Sequence, residues 1–115
     1  MTPKELVLLL DKEIIQDNLL LYRDMLSGNW MTSSEKQDDL ILIYEGLPEA
    51  SREALFRLIE RVQIDAISNI LGVLDGTSYS SSNAGHFQLT FDEGVNLTGD
   101  LQDLFIGHLQ DQARL

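Results

Sequence analysis

An uninterrupted stretch of helical periodicity, from Pro48 to Asp75, constrains the fold of this chain more than any other feature. Its single proline comes first and its single glycine, Gly72, comes near the end, so nothing breaks a helix between them. Apolar residues recur at helical spacing in two rows. The first row is Leu55, Ile59, Val62, Ala66, Ile70 and Val73, and the second is Phe56, Ile67, Leu71 and Leu74. We therefore expect a central helix about 40 Å long, contacted from at least two sides and closed by Gly76.

Capping residues mark two further helices in the N-terminal half. Thr2, Pro3 and Glu5 have the spacing of a capping box, which predicts a first helix from Pro3 to about Leu26. The Thr-Ser-Ser run at 32–34 predicts the start of a second helix, which includes Glu35 and ends at Tyr44 or Glu45. A short link then leads into the central helix, and this favours an antiparallel arrangement.

The C-terminal half changes character after residue 75. Residues 76–85 are rich in serine, glycine and asparagine and predict a loop. Residues 86–91 alternate apolar and polar side chains, which predicts a strand, and Asp92-Glu93-Gly94 is typical of a hairpin turn into a second short strand at 95–97. Thr98 or Asp100 then caps a last helix from about Leu101 to Gln112. Its expected buried stripe is Leu101, Leu104, Phe105, His108 and Leu109.

These elements together predict a mostly helical α+β fold in a single domain, residues 1–115. Three N-terminal helices, the long central one among them, would be joined by a two-stranded β-hairpin and a C-terminal helix around one core. Trp30, in the connector before the second helix, is interpreted as closing the end of that core. The alternative is that Trp30 is a partner-binding anchor, since tryptophan is enriched at binding hot spots.

The charge distribution bears on function more directly than the fold does. The chain has 19 acidic and 8 basic residues, a formal net charge of -11, and residues 62–113 contain no lysine or arginine. Such a surface repels phosphate backbones, so nucleic-acid binding is not expected, whereas a basic protein would be attracted. The apolar run at residues 6–10 is too short to span a bilayer. With no cysteine and no signal-peptide pattern, a cytoplasmic protein without thiol chemistry is expected.

Late carboxylates are the candidate partner-binding residues, together with Trp30. They are Asp92, Glu93, Asp100 and Asp103. With Asn96 and Thr98, the residues from 92 to 100 offer many oxygen ligands, as a calcium site does, but their spacing does not match an EF-hand loop. Turn and capping roles account for each of them, so no metal or cofactor is expected.

Two histidines provide the alternative of a small enzyme or metal-binding protein. His86 begins the predicted strand, and His108 lies on the last helix near Asp103 and Asp111. Histidines beside carboxylates are suited to acid–base catalysis or metal binding. No His-Glu-x-x-His pattern is present, and His108 on an apolar stripe is interpreted first as a structural histidine.

Three segments of the C-terminal half resemble a class of small acidic bacterial proteins, some of which are immunity partners of secreted toxins. The segments are residues 70–76, 87–91 and 99–105. The resemblance implies a protein whose acidic residues meet a basic toxin cleft, but it assigns that role to no particular residue.

Our functional prediction is a non-enzymatic binding module for a basic protein, of the immunity or antitoxin kind. Two alternatives stay open beside it. One is the small enzyme or metal-binding protein that uses His86 and His108 with nearby carboxylates. The other is a structural homodimer, in which a second copy partly covers the apolar helix surface.

Overall fold

Helices dominate the computed structural model, which describes residues 1–28, 35–77 and 85–115. Within those ranges the chain forms four helical rods. The first rod consists of α1 (Pro3–Leu10), a π-helical segment (Asp11–Gln16) and α2 (Asp17–Leu26); the others are α3 (Glu35–Glu45), α4 (Glu49–Asp75) and α5 (Leu101–Asp111). All four predicted helices are confirmed. Trp30 and most of the predicted 76–85 loop lie outside the described residues.

Local capping explains why the predicted helix ends agree with the structure. Oγ1 of Thr2 accepts a hydrogen bond from the backbone N–H of Glu5 at 3.1 Å, as a capping box requires. Gly76 ends α4 in the left-handed conformation, with a φ of 80°. The next amide, that of Thr77, then reaches back to the carbonyl of Gly72 at 2.9 Å.

The hydrophobic core is built around α5, which packs against both α1 and α4. Leu101, Phe105 and Leu109 of α5 are all 0% exposed. Around them lie buried residues of the first rod and of α4: Val7, Ile15, Ile64, Ile67 and Leu71. Helix α5 therefore lies at the centre of the hydrophobic core, a position that the sequence pattern predicts for the longer helix α4.

Helix α4 is buried mainly along one of its two apolar rows. Phe56, Ile67 and Leu71 of the second row are buried. In the first row, Val62 is 58% exposed and Ile70 is 59% exposed. The prediction that the helix is contacted from at least two sides agrees with its contacts to α5, the first rod and α3, although part of the first row is exposed.

The first rod and α4 run antiparallel along their common length. Nδ2 of Asn18 donates to Oε1 of Gln63 at 3.1 Å near the middle of the pair. Further along, Nη1 of Arg23 donates to Oε1 of Glu53 at 3.4 Å, so residue numbers rise in one helix as they fall in the other. This helix pair is the platform on which α5 lies.

The predicted two-stranded β-hairpin is wrong, and with it the α+β class. In the described part of the chain, residues 86–97 form no strand, only one isolated antiparallel bridge between Thr90 and Asn96. The alternation that indicated a strand does not reflect a buried face, since Phe87 and Phe91 are exposed. The amide of Leu89 bonds to the side chain of Asn96 instead of a strand carbonyl. The described residues are helical, with an irregular segment before α5.

Candidate functional site

The start of α5 is held by a carboxylate from the end of α4. Oδ1 of Asp75 accepts the backbone N–H of Gly99 at 2.6 Å, and its Oδ2 accepts that of Gln102 at 2.8 Å. A helix N-terminus carries unpaired N–H groups and a partial positive charge, so a carboxylate here both caps and stabilises it. The two helix ends are thereby fixed to each other.

Gln102 strengthens this junction, whereas the side chain of Asp100 makes no cap bond in it. Nε2 of Gln102 donates to the backbone carbonyl of Ser68 at 3.0 Å. Asp100 occupies the N-cap position of α5 but makes no side-chain cap bond, contrary to one of the two predicted caps. Because Asp75 already accepts the second helical N–H, the carboxylate of Asp100 remains exposed to solvent.

A tight turn presents Asp92 and Glu93 at the surface before α5. The amide of Gly94 donates to the carbonyl of Phe91 at 3.0 Å. Asp92 and Glu93, the two central residues, have positive φ values of 51° and 62°. Positive φ at both central positions is typical of type I′ turns, so the turn is predicted correctly although its strands are not.

Asn96 organises the chain on the other side of this turn. Its Oδ1 accepts the amides of Leu89 at 2.9 Å and Thr98 at 3.1 Å. Oγ1 of Thr98 lies 3.1 Å from the carbonyl of Phe87. The backbone of Leu97 adds a 2.7 Å bond to the carbonyl of Leu89. A network of local hydrogen bonds, rather than a β-ladder, thus fixes the turn relative to α5.

We call the segment of residues 92–103 the acidic end. It carries four exposed carboxylates: Asp92, Glu93, Asp100 and Asp103. Of the ion pairs in the described residues, none involves these four side chains. Exposed Phe87, Phe91 and Val95 lie on the same segment as the turn. All four predicted partner-binding carboxylates are therefore exposed, while Trp30 lies outside the described residues.

A second group of ionisable residues surrounds Asp11 and is largely shielded from solvent. Asp11, in the π-helical segment, is 2% exposed. Arg114 donates to both of its carboxylate oxygens, from Nη1 at 2.7 Å and Nη2 at 2.8 Å. Nε2 of His108 lies 2.8 Å from Oδ2 of Asp11, and Nε of Arg114 lies 3.7 Å from Oε1 of Glu60.

These contacts favour the ionised form of Asp11. Burial is the largest single effect and would raise the pKa of its carboxyl group, but the hydrogen bonds from Arg114, His108 and Gln16 and the charge of Arg114 together lower the pKa. The hydrogen bond to Asp11 in turn raises the pKa of Arg114. Asp11 is therefore a carboxylate whose hydrogen-bonding capacity is largely taken up inside the protein, and not an available catalytic base.

The positions of the two histidines do not support the alternative of a small enzyme. His108 is mostly buried and bonded to Asp11, as a structural histidine would be. His86 is exposed on the segment before the turn, and no hydrogen bond in the described residues joins it to His108. Among the described residues, no group of three or more histidine or carboxylate side chains is placed to hold a metal ion.

Two important carboxylates are not singled out by the sequence. Its pattern places Asp11 on the solvent side of the first helix, yet Asp11 stands four residues from both Val7 and Ile15, which are buried. This four-residue spacing from two apolar residues is the sequence feature that could have indicated that Asp11 is buried. Asp75 marks only the end of the central helix in the sequence, and no local pattern reveals its partners 24 and 27 residues away.

Comparisons with models of protein families, with curated proteins and with solved structures find no match to this chain. In the described ranges, no helix combines enough length with enough apolar character to cross a bilayer. The functional argument therefore depends on the arrangement of the residues themselves.

Proposed function

We propose that this protein is a non-enzymatic binding module that recognises a basic protein through its acidic end. The observation that carries the proposal is the set of four exposed carboxylates without an ion pair in the described residues, at 92, 93, 100 and 103. They belong to the 62–113 region, which has no lysine or arginine. Their negative potential is not cancelled by nearby cations and would attract a basic surface.

Apolar contact area accompanies the charge. Val95 is 80% exposed and Phe91 is 55% exposed, on either side of the turn that carries Asp92 and Glu93. Binding hot spots combine aromatic and apolar anchors with charged neighbours that guide and orient the partner. We infer that Phe91 and Val95 enter apolar depressions in the partner while the carboxylates pair with its lysines and arginines.

Rigidity supports the same function. Asp75 fixes the start of α5, and Asn96 fixes the segment that leads into it. A recognition surface that is already ordered loses less conformational entropy on binding than a flexible one. The hydrogen bonds of Asp75 and Asn96 therefore serve binding by holding the acidic end in one shape.

A toxin of the kind neutralised by immunity proteins is the partner class that we favour. The acidic end would cover a basic cleft there, in the cytoplasm of the producing cell. The charge and exposure of the four carboxylates support a basic partner of this kind, and the resemblance of residues 70–76, 87–91 and 99–105 adds the toxin class.

Affinity capture from a lysate of the native host tests the proposal with two matched variants. The first is D92N/E93Q/D100N/D103N, which neutralises the acidic end. The control is E13Q/D24N/D39N/E45Q, which removes the same charge from exposed positions on the first rod and α3. We expect the wild-type and control proteins to retain a basic protein that salt elutes, and the first variant to lose it.

Association kinetics with the captured partner make the test specific. Neutralising the acidic end should lower the association rate constant and weaken its salt dependence, whereas the control should change both much less. If no basic protein is retained, or if the two variants behave alike, the acidic end is not the binding surface.

A further inference from the structure

We infer that a second copy of this chain covers the side of the helix pair that lies opposite α5, forming a homodimer. We call this side the open face. It is made of exposed apolar side chains of the first rod and of α4: Ile14, Leu21, Tyr22, Leu58, Val62, Ile70 and Val73. The inference does not depend on the proposed binding of a basic protein, which uses a different surface.

Helical geometry separates the open face from α5. Ser68 and Asp75 of α4 contact α5 through Gln102. Successive residues of an α-helix are about 100° apart around its axis, so Ile70 and Val73 lie roughly opposite Ser68 and Asp75. In the part of the chain that the structure describes, α5 therefore covers the helix pair on one side only, and Leu89 of the segment before α5 reaches the groove beside Ile70.

The isolated chain exposes more surface than a folded monomer of its mass is expected to expose. The chain exposes 7920 Å², whereas a folded monomer of 13.0 kDa is expected to expose about 6300 Å². The excess is larger than the roughly 800 Å² that each partner buries in a standard interface. The radius of gyration is 17.6 Å, against about 13 Å for a compact domain of this length.

The open face has both the ridges and the grooves that a self-complementary interface needs. A groove of about 240 Å³ lies between Leu10 and Ile14 on one side and Ile70 and Leu74 on the other. A second, of about 290 Å³, lies between Tyr22 and Val62. In a two-fold dimer the same surface meets itself, so ridge residues such as Val62 and Ile70 can fill the grooves of the other copy.

Charge restricts where two copies can meet. Each copy carries a net charge of -11, so two copies repel least where they meet through uncharged side chains. The side chains of the open face are all uncharged, whereas contact through the acidic end would bring like charges together.

Light scattering and analytical ultracentrifugation of the full chain over a range of concentrations test the inference. The wild-type protein should have twice the monomer mass of 13.0 kDa, and added salt should tighten the dimer by screening the repulsion. V62E/I70E should raise the dimer dissociation constant by at least about tenfold, because each carboxylate would be buried without a partner. Both positions are more than half exposed in the monomer, so its helical circular dichroism should persist.

The matched control is L42E/V95E, which adds the same charge at exposed apolar positions away from the open face. It should dimerise like the wild-type protein. A wild-type monomer at all concentrations, or equal dimerisation of V62E/I70E and L42E/V95E, would overturn the inference.

Discussion

Asp11 and Arg114 form a two-bond ion pair that joins the π-helical segment of the first rod to the residue before the last. The nitrogen–oxygen distances are 2.7 Å and 2.8 Å, and the side chain of Asp11 is 3% exposed. His108 adds a third contact from α5. These contacts therefore hold α5 and the residues after it against the first rod.

Removing Arg114 should destabilise the protein strongly. Arg114→Met keeps much of the apolar stem but leaves Asp11 buried without its guanidinium partner, and breaking a buried pair in this way costs about 3 kcal/mol. Arg61→Met is the matched control, since its pair with Asp65 is exposed and contributes about 0.5 kcal/mol or less. Urea unfolding at neutral pH would measure both free energies of unfolding.

The same experiment has an internal check. Adding Asp11→Leu to Arg114→Met removes the unpaired carboxylate, so most of the lost stability should return. If the single variant is no less stable than the Arg61→Met protein, the buried pair does not stabilise the fold as argued.

Low pH should lower the free energy of unfolding because Asp11 becomes protonated. Its pKa is lowered in the folded state, while an unfolded aspartate has a pKa of about 3.9. A carboxyl group with a lowered folded pKa contributes its full stability above the unfolded value and loses it as the pH falls through the folded value. Asp11→Asn should therefore flatten the decline in unfolding free energy below about pH 4.

Measuring the unfolding free energy of both proteins from neutral to acidic pH would check this. Asp65→Asn serves as the comparison, because Asp65 is exposed. Equal slopes for wild-type and Asp11→Asn proteins in the acidic range would show that other carboxylates govern acid unfolding.

Capping of α5 by Asp75 leads to a third prediction. Asp75→Ala removes the acceptor of the Gly99 and Gln102 amides and should cost about 1–2 kcal/mol. Asp100→Ala should cost much less, because Asp100 occupies the N-cap position without making a cap bond. Hydrogen exchange would show the difference locally, as faster exchange of the Gln102 amide in Asp75→Ala alone. Equal effects of the two substitutions would contradict the assignment of the cap.

The accuracy of the sequence predictions follows from the range of the interactions. Thr2 and Gly76 act on amides within a few residues, so the local pattern predicts their helix ends. Asp11 is 103 residues from Arg114 in sequence, and nothing near either residue indicates the pairing.

The predicted hairpin is wrong for a related reason. Alternation at Phe87, Leu89 and Phe91 predicts a strand only if one side is buried, and in the structure Phe87 and Phe91 are exposed. Only the turn at Asp92 and Glu93, which depends on its own few residues, is predicted correctly. For the candidate site, exposed carboxylates are predictable from charge, whereas the Asp75 junction that positions them is not.

Two glycines should respond in opposite directions to replacement by alanine. Gly76 has a φ of 80° at the end of α4, where a Cβ atom is strained, so Gly76→Ala should destabilise by about 1 kcal/mol. Gly107 lies inside α5 without a positive φ, and a Cβ atom added there would meet no other atom within 4 Å. Gly107→Ala should therefore stabilise the protein by about 0.5–1 kcal/mol. Thermal unfolding of the two variants beside the wild-type protein would show a lower midpoint for the first and a higher one for the second. A lower midpoint for Gly107→Ala would mean that the space beside α5 is filled in solution, and that the packing around this helix is tighter than the open space at Gly107 indicates.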